Sequence, residues 1–234
     1  MKALVLAAGK STRIASISKG LPKPLIEVHG KSVLKRNLTW LAQFGFRDIW
    51  INLHYRAEDI IKHLGQGDDL GLNIQYAFEP EILGTAGAVK HLQEEWKETF
   101  LVVYGDNLFQ FSLDTFISFH QSQKTPLSIG VFDRSKHLHT GIAGGRVVLK
   151  GSYVQGFIEG GNQAISNYVN AGVYLLEPKI LEIIPEETFF DFGNDLFPKC
   201  IHNDIKISGH IIEGYCLGID TPESYQNALT IINN

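Results

Sequence analysis

Two short segments near the amino terminus carry residues whose types and order suit phosphate chemistry. The first, Leu6-Ala7-Ala8-Gly9-Lys10-Ser11-Thr12-Arg13, puts small residues where backbone N–H groups can approach an anion closely, and ends on a planar, multi-donor guanidinium. The second, Gly20-Leu21-Pro22-Lys23-Pro24-Leu25, sets a lysine between two prolines that fix the local backbone and aim the ammonium at small entropic cost. A strand-exit turn with a solvated arginine would account for the first segment alone. The second asks for more, since a linker has little need of a lysine held this rigidly.

The elements that must position these segments alternate short apolar runs with helical patterns. Residues 3–8, 48–53, 73–78 and 100–104 are expected strands, and 33–44, 57–64 and 86–95 expected helices. This βαβ grammar predicts an α/β fold with a Rossmann-like, mixed but mainly parallel sheet flanked by helices. After a further helix over 113–123 the pattern changes to closely spaced strands over 127–132, 146–149, 153–158 and 168–176, which implies an inserted strand-rich lobe with antiparallel additions. A helix over 192–201, a strand over 206–212 and a closing helix over 222–232 with proline at its start complete the expectation. In open α/β sheets ligands bind beyond the carboxyl ends of the strands. Gly9 to Arg13 after the first strand, Glu79 to Gly87 after the third and Gly105-Asp106 after the fourth therefore point to one edge.

Composition sets the outer limits. The 234 residues carry 21 basic against 25 acidic side chains, a net charge of −4, with 44% hydrophobic content. That is a soluble globular chain without the basic field that binds nucleic acid, so phosphate chemistry must be local. Two cysteines, Cys200 and Cys216, suit core positions and a reducing cytoplasm rather than a disulfide framework. The apolar run after Lys2 is too short for a secretory signal, and no stretch approaches a membrane span. A cytoplasmic protein with no membrane partner is expected.

Taken together, residues 6–13 and Pro22-Lys23-Pro24-Leu25 resemble the signature of sugar-1-phosphate nucleotidylyltransferases. Leu83-Gly84-Thr85-Ala86-Gly87-Ala88 resembles that family's base-binding loop, and Val103-Tyr104-Gly105-Asp106 its metal-binding strand end. Phe157-Ile158-Glu159, Asn170-Ala171-Gly172-Val173-Tyr174 and residues 214–225 resemble, more loosely, its sugar-binding and second-carboxylate segments. The resemblance implies one domain over 1–234, with 1–125 mainly nucleotide-binding and 126–234 mainly sugar-binding. It implies transfer of a nucleoside monophosphate from an NTP to a sugar 1-phosphate, with release of pyrophosphate, a Mg²⁺ cofactor and, as an open possibility, a homo-oligomer. Arg13 and Lys23 become the catalytic cations, Arg13 for the departing pyrophosphate and Lys23 between the α-phosphate and the attacking sugar phosphate. Nucleotide contacts fall to Leu6, Ala7, Ala8, Gly9, Lys10, Ser11, Thr12, Glu79, Gly84, Thr85, Ala86, Gly87 and Asp106. Sugar contacts fall to Asn107, Gly144, Glu159, Asn170 and Gly172, with Gly172 keeping the approach open, and metal ligation to Asp106 and Asp220. Thr85 also suits capping of the helix that follows it. The loop favours guanylyl- or uridylyl-transferring relatives over thymidylyl ones.

Three positions depart from the family pattern. Ser11 stands where a second glycine is common, Gly160 where a lysine usually contacts the sugar phosphate, and Gly218-Ile219-Asp220 reverses the usual order of aspartate and glycine. Asp220 thus has two readings, metal ligand or start of the final helix, and Lys23 is left to carry more of the sugar phosphate's charge. Two rival functions share part of the pattern: a sensing domain that kept the fold and lost turnover, and a glycosyltransferase that consumes a nucleotide sugar. The short tail after Asp220 leads us to expect a single activity. His137 and His139 suit a surface loop better than a metal site, and His54 a capping or partly buried role.

Overall fold

The computed structural model describes residues 1–9, 14–139, 144–160 and 165–232. Its strands are β1 (Ala3–Leu6), β2 (Glu27–Val28), β3 (Lys31–Ser32), β4 (Asp48–Leu53), β5 (Asn73–Phe78), β6 (Phe100–Tyr104), β7 (Asn107–Gln110), β8 (Leu127–Asp133), β9 (Arg146–Lys150), β10 (Tyr153–Ile158), β11 (Tyr168–Leu176), β12 (Ile207–Ile211) and β13 (Tyr215–Gly218). The helices are α1 (Ala15–Ser18), α2 (Val33–Gln43), α3 (Ala57–Leu64), α4 (Gly84–His91), α5 (Leu113–Gln123), α6 (Phe197–His202) and α7 (Pro222–Ile232).

Nine strands form one sheet in the order β5-β4-β1-β6-β11-β8-β12-β10-β9. β1 pairs in parallel with β4 and β6, and β8 with β12, while β11 and β10 enter antiparallel, as the strand-rich segment led us to expect. Helices cover both faces, which is why β1 and β8 are buried at every residue, and β1 carries an unbroken apolar run rather than an alternation. One core lies on the α2 and α5 side and a second on the α4 and α6 side.

From β1 the chain steps outward to β4 and β5, then returns to the other side of β1 as β6, so a crevice opens between the carboxyl ends of β1 and β6. The approach there is close. The Gly105 N–H donates to the Leu6 carbonyl at 2.8 Å, and a Cβ on Gly105 would stand 2.8 Å from that same oxygen. Only glycine lets β6 turn beside β1 and deliver Asp106 to the first loop.

Two expectations needed correction. The helix expected over 192–201 is a π-helical turn, Phe192–Leu196, leading into α6. Asp191 sets that wider turn: its carbonyl accepts from Leu196 N–H at 2.9 Å, and its own N–H donates to the Asp195 carboxylate at 2.7 Å. The helix expected from Ala86 begins at Gly84 and ends at His91, with a separate 3₁₀ turn over Gln93–Glu95. The β2–β3 hairpin and the β7–β13 pair were not expected from the sequence, because strands of two to four residues have too few positions to display alternation.

Candidate active site

Lys23 opens a 3₁₀ turn, Lys23–Leu25, that Pro22 enters in extended conformation and closes with its carbonyl accepting from Leu25 N–H at 2.9 Å. The lysine is only 7% exposed. Its ammonium donates to Asp106 Oδ2 at 2.8 Å and to Asp220 Oδ1 at 2.6 Å. Burial opposes the charged form, but the two carboxylates outweigh it, so the ammonium is held above its ordinary pKa. Register explains how residues 114 positions apart (220 − 106) arrive together: β7 and β13 run antiparallel with Asn107 opposite Gly218, so Asp106 precedes one strand and Asp220 follows the other. The reversed order of aspartate and glycine is thereby accommodated. Asp220 is not required as a helix cap either, because Thr221 and Ser224 cap α7 reciprocally, Ser224 Oγ accepting from Thr221 N–H at 2.9 Å and Thr221 Oγ1 from Ser224 N–H at 3.1 Å.

Asp106 and Asp220 fit a Mg²⁺ ion. Both carboxylates already converge on one positive charge, and Mg²⁺ typically takes one or two carboxylates and completes its shell with water and substrate phosphate. Among the described residues no group of three or more His, Cys, Asp or Glu side chains could form a more complete protein cage.

On one side of this pair lies a cavity of about 320 Å³ lined by Leu6, Ala7, Ala8 and Gly9, by Glu79, Gly84 and Thr85, and by Pro24, Ile82 and Phe189. A buried relay ties its loops together. Ala7 N–H donates to Asn52 Oδ1 at 2.8 Å, Asn52 Nδ2 to Glu79 Oε1 at 2.8 Å, and Leu83 N–H to Glu79 Oε2 at 3.1 Å. A Cβ on Gly9 would meet nothing within 4 Å, so the loop is open at that point. Lys10, Ser11, Thr12 and Arg13 lie outside the described residues.

The base-loop segment departs from expectation in how its backbone is used. Ala86 and Gly87 N–H groups both donate to the Phe190 carbonyl at 2.9 Å, and Thr85 N–H and Oγ1 both donate to Asp191 Oδ1 at 3.0 Å. Thr85 does not cap α4. It lies inside the first turn, where its hydroxyl also accepts from Phe192 N–H at 2.9 Å, and the carboxylate of Asp191 satisfies the free N–H instead. Gly84 and Gly87 are glycines because a Cβ on either would stand 2.7 Å from the Phe190 carbonyl or 2.8 Å from that of Thr188.

On the other side lies a second cavity of about 230 Å³, lined by Asp106, Asn107, Gly144, Glu159, Asn170, Gly172, Asp191 and Asp220 among others. Every sugar residue expected from the sequence is on its wall. Glu159 is exposed on the cavity wall, yet desolvation and the neighbouring Asp191 charge raise its pKa. Its carboxylate fits only because two neighbours are glycines, since a Cβ on Gly145 or Gly193 would lie 2.7 or 2.5 Å from Glu159 Oε2. Asn170 anchors the wall, its Oδ1 accepting from Gly172 N–H at 2.9 Å and its Nδ2 donating to Tyr174 Oη at 2.8 Å. Gly172 does not keep an approach open. Its φ of +73° forms the bulge of β11, and the Tyr104 ring fills the space 2.8 Å from where its Cβ would be. Gly160, which stands where the family usually has a lysine, has φ +61°, a left-handed conformation that glycine adopts without strain.

The family profile described as nucleotidyl transferase matches residues 2–233. The chain belongs to that family. The chain is 33% identical to a UTP–glucose-1-phosphate uridylyltransferase of Synechocystis, across 88% of this chain and 56% of the relative. It is 29% identical to a probable mannose-1-phosphate guanylyltransferase of Oryza sativa, across 99% of this chain and 64% of the relative. The chain thus spans a little over half to under two thirds of these relatives. Among solved structures, HddC from Yersinia pseudotuberculosis, complexed with GMP-PN, superposes with a TM-score of 0.82 at 27% identity, with 99% of both chains covered. A putative glucose-1-phosphate thymidylyltransferase from Bacillus anthracis shares the fold, with a TM-score of 0.87 at 20% identity.

Other residues singled out in the sequence fall as follows. His54 Nδ1 bonds the Glu79 carbonyl at 2.8 Å, a supporting role at the cavity edge. His137 Nδ1 accepts from Asp133 N–H at 3.1 Å, Cys200 and Cys216 are buried, and no helix among the described residues is long and apolar enough to cross a membrane. Sequence reasoning missed Asn52, Phe189, Asp191, Gly145 and Gly193. Asn52 was visible as a polar residue in the apolar strand 48–53, and Asp191 as a carboxylate among phenylalanines.

Proposed function

We propose that the chain transfers guanosine monophosphate from GTP to a sugar 1-phosphate. The observation that carries this reading is the position of Lys23, Asp106 and Asp220: Lys23 and Asp106 line the first cavity and Asp106 and Asp220 the second. A nucleotide in one and a sugar phosphate in the other would meet at a buried cation. An oxygen of the sugar phosphate attacks the α-phosphorus, the new P–O bond forms, and the bond to the bridging oxygen of pyrophosphate breaks, that oxygen keeping the electron pair. The nucleophile is already an anion, so no serine, cysteine or general base is needed. Lys23 offsets the repulsion between the two phosphates and the charge that accumulates on them. Bound Mg²⁺, held by Asp106 and Asp220, supplies further charge neutralisation of the triphosphate.

Guanine is favoured by Glu79. Glu79 is buried against the cavity wall, each of its carboxylate oxygens already takes one N–H, and the second lone pair on each is the acceptor this reading assigns to the ligand. Guanine offers adjacent N1–H and N2–H donors to such a group. Uracil and thymine offer one N–H flanked by carbonyl oxygens, and these would face the carboxylate's negative charge. The guanylyltransferase relatives and the GMP-PN complex of HddC support the same choice.

Pyrophosphate release from a matrix of nucleoside triphosphates and sugar 1-phosphates with Mg²⁺ tests the reading. GTP with one sugar 1-phosphate is the expected productive row. Release with UTP but not GTP would reject the base assignment, and nucleotide binding without release from any pair would favour a sensing domain.

A further inference from the structure

The wall of the first cavity is completed by residues that follow the sheet's last antiparallel additions, far in sequence from the loops that build the rest of it. Phe189 stands on that wall and is 58% exposed, while its neighbours Asp191 and Phe192 turn inward. An exposed phenylalanine is ordinary on a loop that can move. This one is on a strap whose backbone is fastened on both sides of α4's first turn. Phe190 N–H donates to the Leu83 carbonyl at 2.9 Å, the Phe190 carbonyl takes two N–H groups from the turn, and Asp191 takes the Thr85 pair. Gly84 and Gly87 are shaped to receive the strap, as their absent Cβ atoms show. The backbone is held, the ring next to the anchor is exposed, and the cavity it overlooks has apolar walls at Leu6, Pro24 and Ile82 with a carboxylate at Glu79.

We propose that Phe189 is a nucleotide-binding residue that packs its ring against the base. The inference rests on the nucleotidyl-transfer reading and adds a contact to it. A base whose polar edge meets Glu79 leaves its π-face uncovered, and an aromatic ring fixed at the cavity mouth covers such a face whatever the base. The strap thereby lets the second half of the chain complete a site that the first half begins. Phe189 contributes to nucleotide affinity and touches no reacting atom.

The test is nucleotide binding measured apart from turnover, with wild type, Phe189→Ala and Phe189→Trp titrated with GTP, UTP, dTTP, ATP and inorganic triphosphate. Alanine should weaken the preferred nucleotide about tenfold, as expected for loss of a base–aromatic contact, and leave inorganic triphosphate unchanged. In turnover the loss should fall on KM for the nucleotide, with kcat and KM for the sugar phosphate within about twofold. Tryptophan should restore affinity, and its emission, taken as the difference from wild type, should be quenched by the nucleotide and not by inorganic triphosphate. Equal affinity of wild type and Phe189→Ala, or a difference emission from Phe189→Trp that is indifferent to saturating nucleotide, would overturn the inference and leave the transferase reading standing. Failure of wild type to bind any nucleotide would overturn both. If the alanine variant does not fold, the tryptophan signal alone decides.

Discussion

The two cavities that share Asp106 are built on different plans. The cavity proposed for the nucleotide opens from parallel strands, where each chemical group follows a strand end and the backbone does the shaping: glycines at 9, 84 and 105 and N–H groups committed to Asn52 and Glu79. The cavity proposed for the sugar phosphate lies among antiparallel strands and the π-helical turn, and side chains shape it: Glu159 and Asp191 as acceptors, and Gly145 and Gly193 as the space they need. The first plan ties the shape of the cavity to loop geometry, which changes slowly under substitution, and leaves base selection to Glu79. The second ties it to a few carboxylates and absent methyl groups, each replaceable at one position.

Four substitutions sharpen that contrast. The largest effect is expected at the shared boundary: Lys23→Ala should lower kcat/KM for pyrophosphate release by about 10²–10³-fold, as for loss of one preorganised charge partner of the transition state. The same variant leaves Asp106 and Asp220 facing each other, so its thermal stability should recover when Mn²⁺ or Mg²⁺ is added. The raised pKa of Lys23 means that its contribution to wild-type stability is complete below the lysine's ordinary value of 10.5 and is lost only as pH climbs through the higher folded value. In the nucleotide cavity, Glu79→Gln should lower the ratio of GTP to UTP efficiency by about tenfold, the scale of one mispaired polar contact. An unchanged ratio would remove Glu79 from base selection.

In the sugar cavity, Asp191→Asn should act through charge. Burial and Asp191 together raise the Glu159 pKa, so the acceptor carboxylate forms at higher pH than an ordinary glutamate would give. Removing the Asp191 charge should move the acid limb of kcat/KM for the sugar phosphate to lower pH. It should also cost about 1–3 kcal/mol of stability, because an amide holds the Thr85 donors less strongly than a carboxylate. The smallest effect is expected from Gly193→Ala, whose methyl group must displace the end of the flexible Glu159 side chain at 2.5 Å and ease the Phe157 ring at 3.0 Å. A rise of about threefold in KM for the sugar phosphate, with nucleotide KM unchanged, is the scale of a contact eased by a small shift.

The same contrast accounts for what the sequence made legible. Strands β4, β5, β6, β10 and β11 and helices α3, α5 and α7 were delimited by periodicity alone, since each is long enough to repeat its pattern. Glu79, Gly84 and Asp106 were accessible because a parallel sheet announces its functional edge at the strand ends. Asp191 and Gly193 were hidden in what looked like the start of an ordinary helix, and a π-helical turn has no repeat to reveal it. Thr85 was misassigned because local sequence cannot show that a carboxylate 106 residues away will take its N–H. Gly172 was correctly located and wrongly explained: the ring it admits belongs to another strand.

The strap that fastens residues 190–192 to the first turn of α4 also has a bearing on how the molecule forms. Loops 6–9 and 79–87 precede the strap in the chain, so the N–H groups of Thr85, Ala86 and Gly87 find their partners only when residues 190 and 191 have been made. Contacts of such long sequence separation form late, after the loop-closure entropy has been overcome. A nascent or truncated chain ending before the strap would hold the nucleotide loops with their helix start unsatisfied, so competence to bind nucleotide should report completion of the whole fold rather than of its first half.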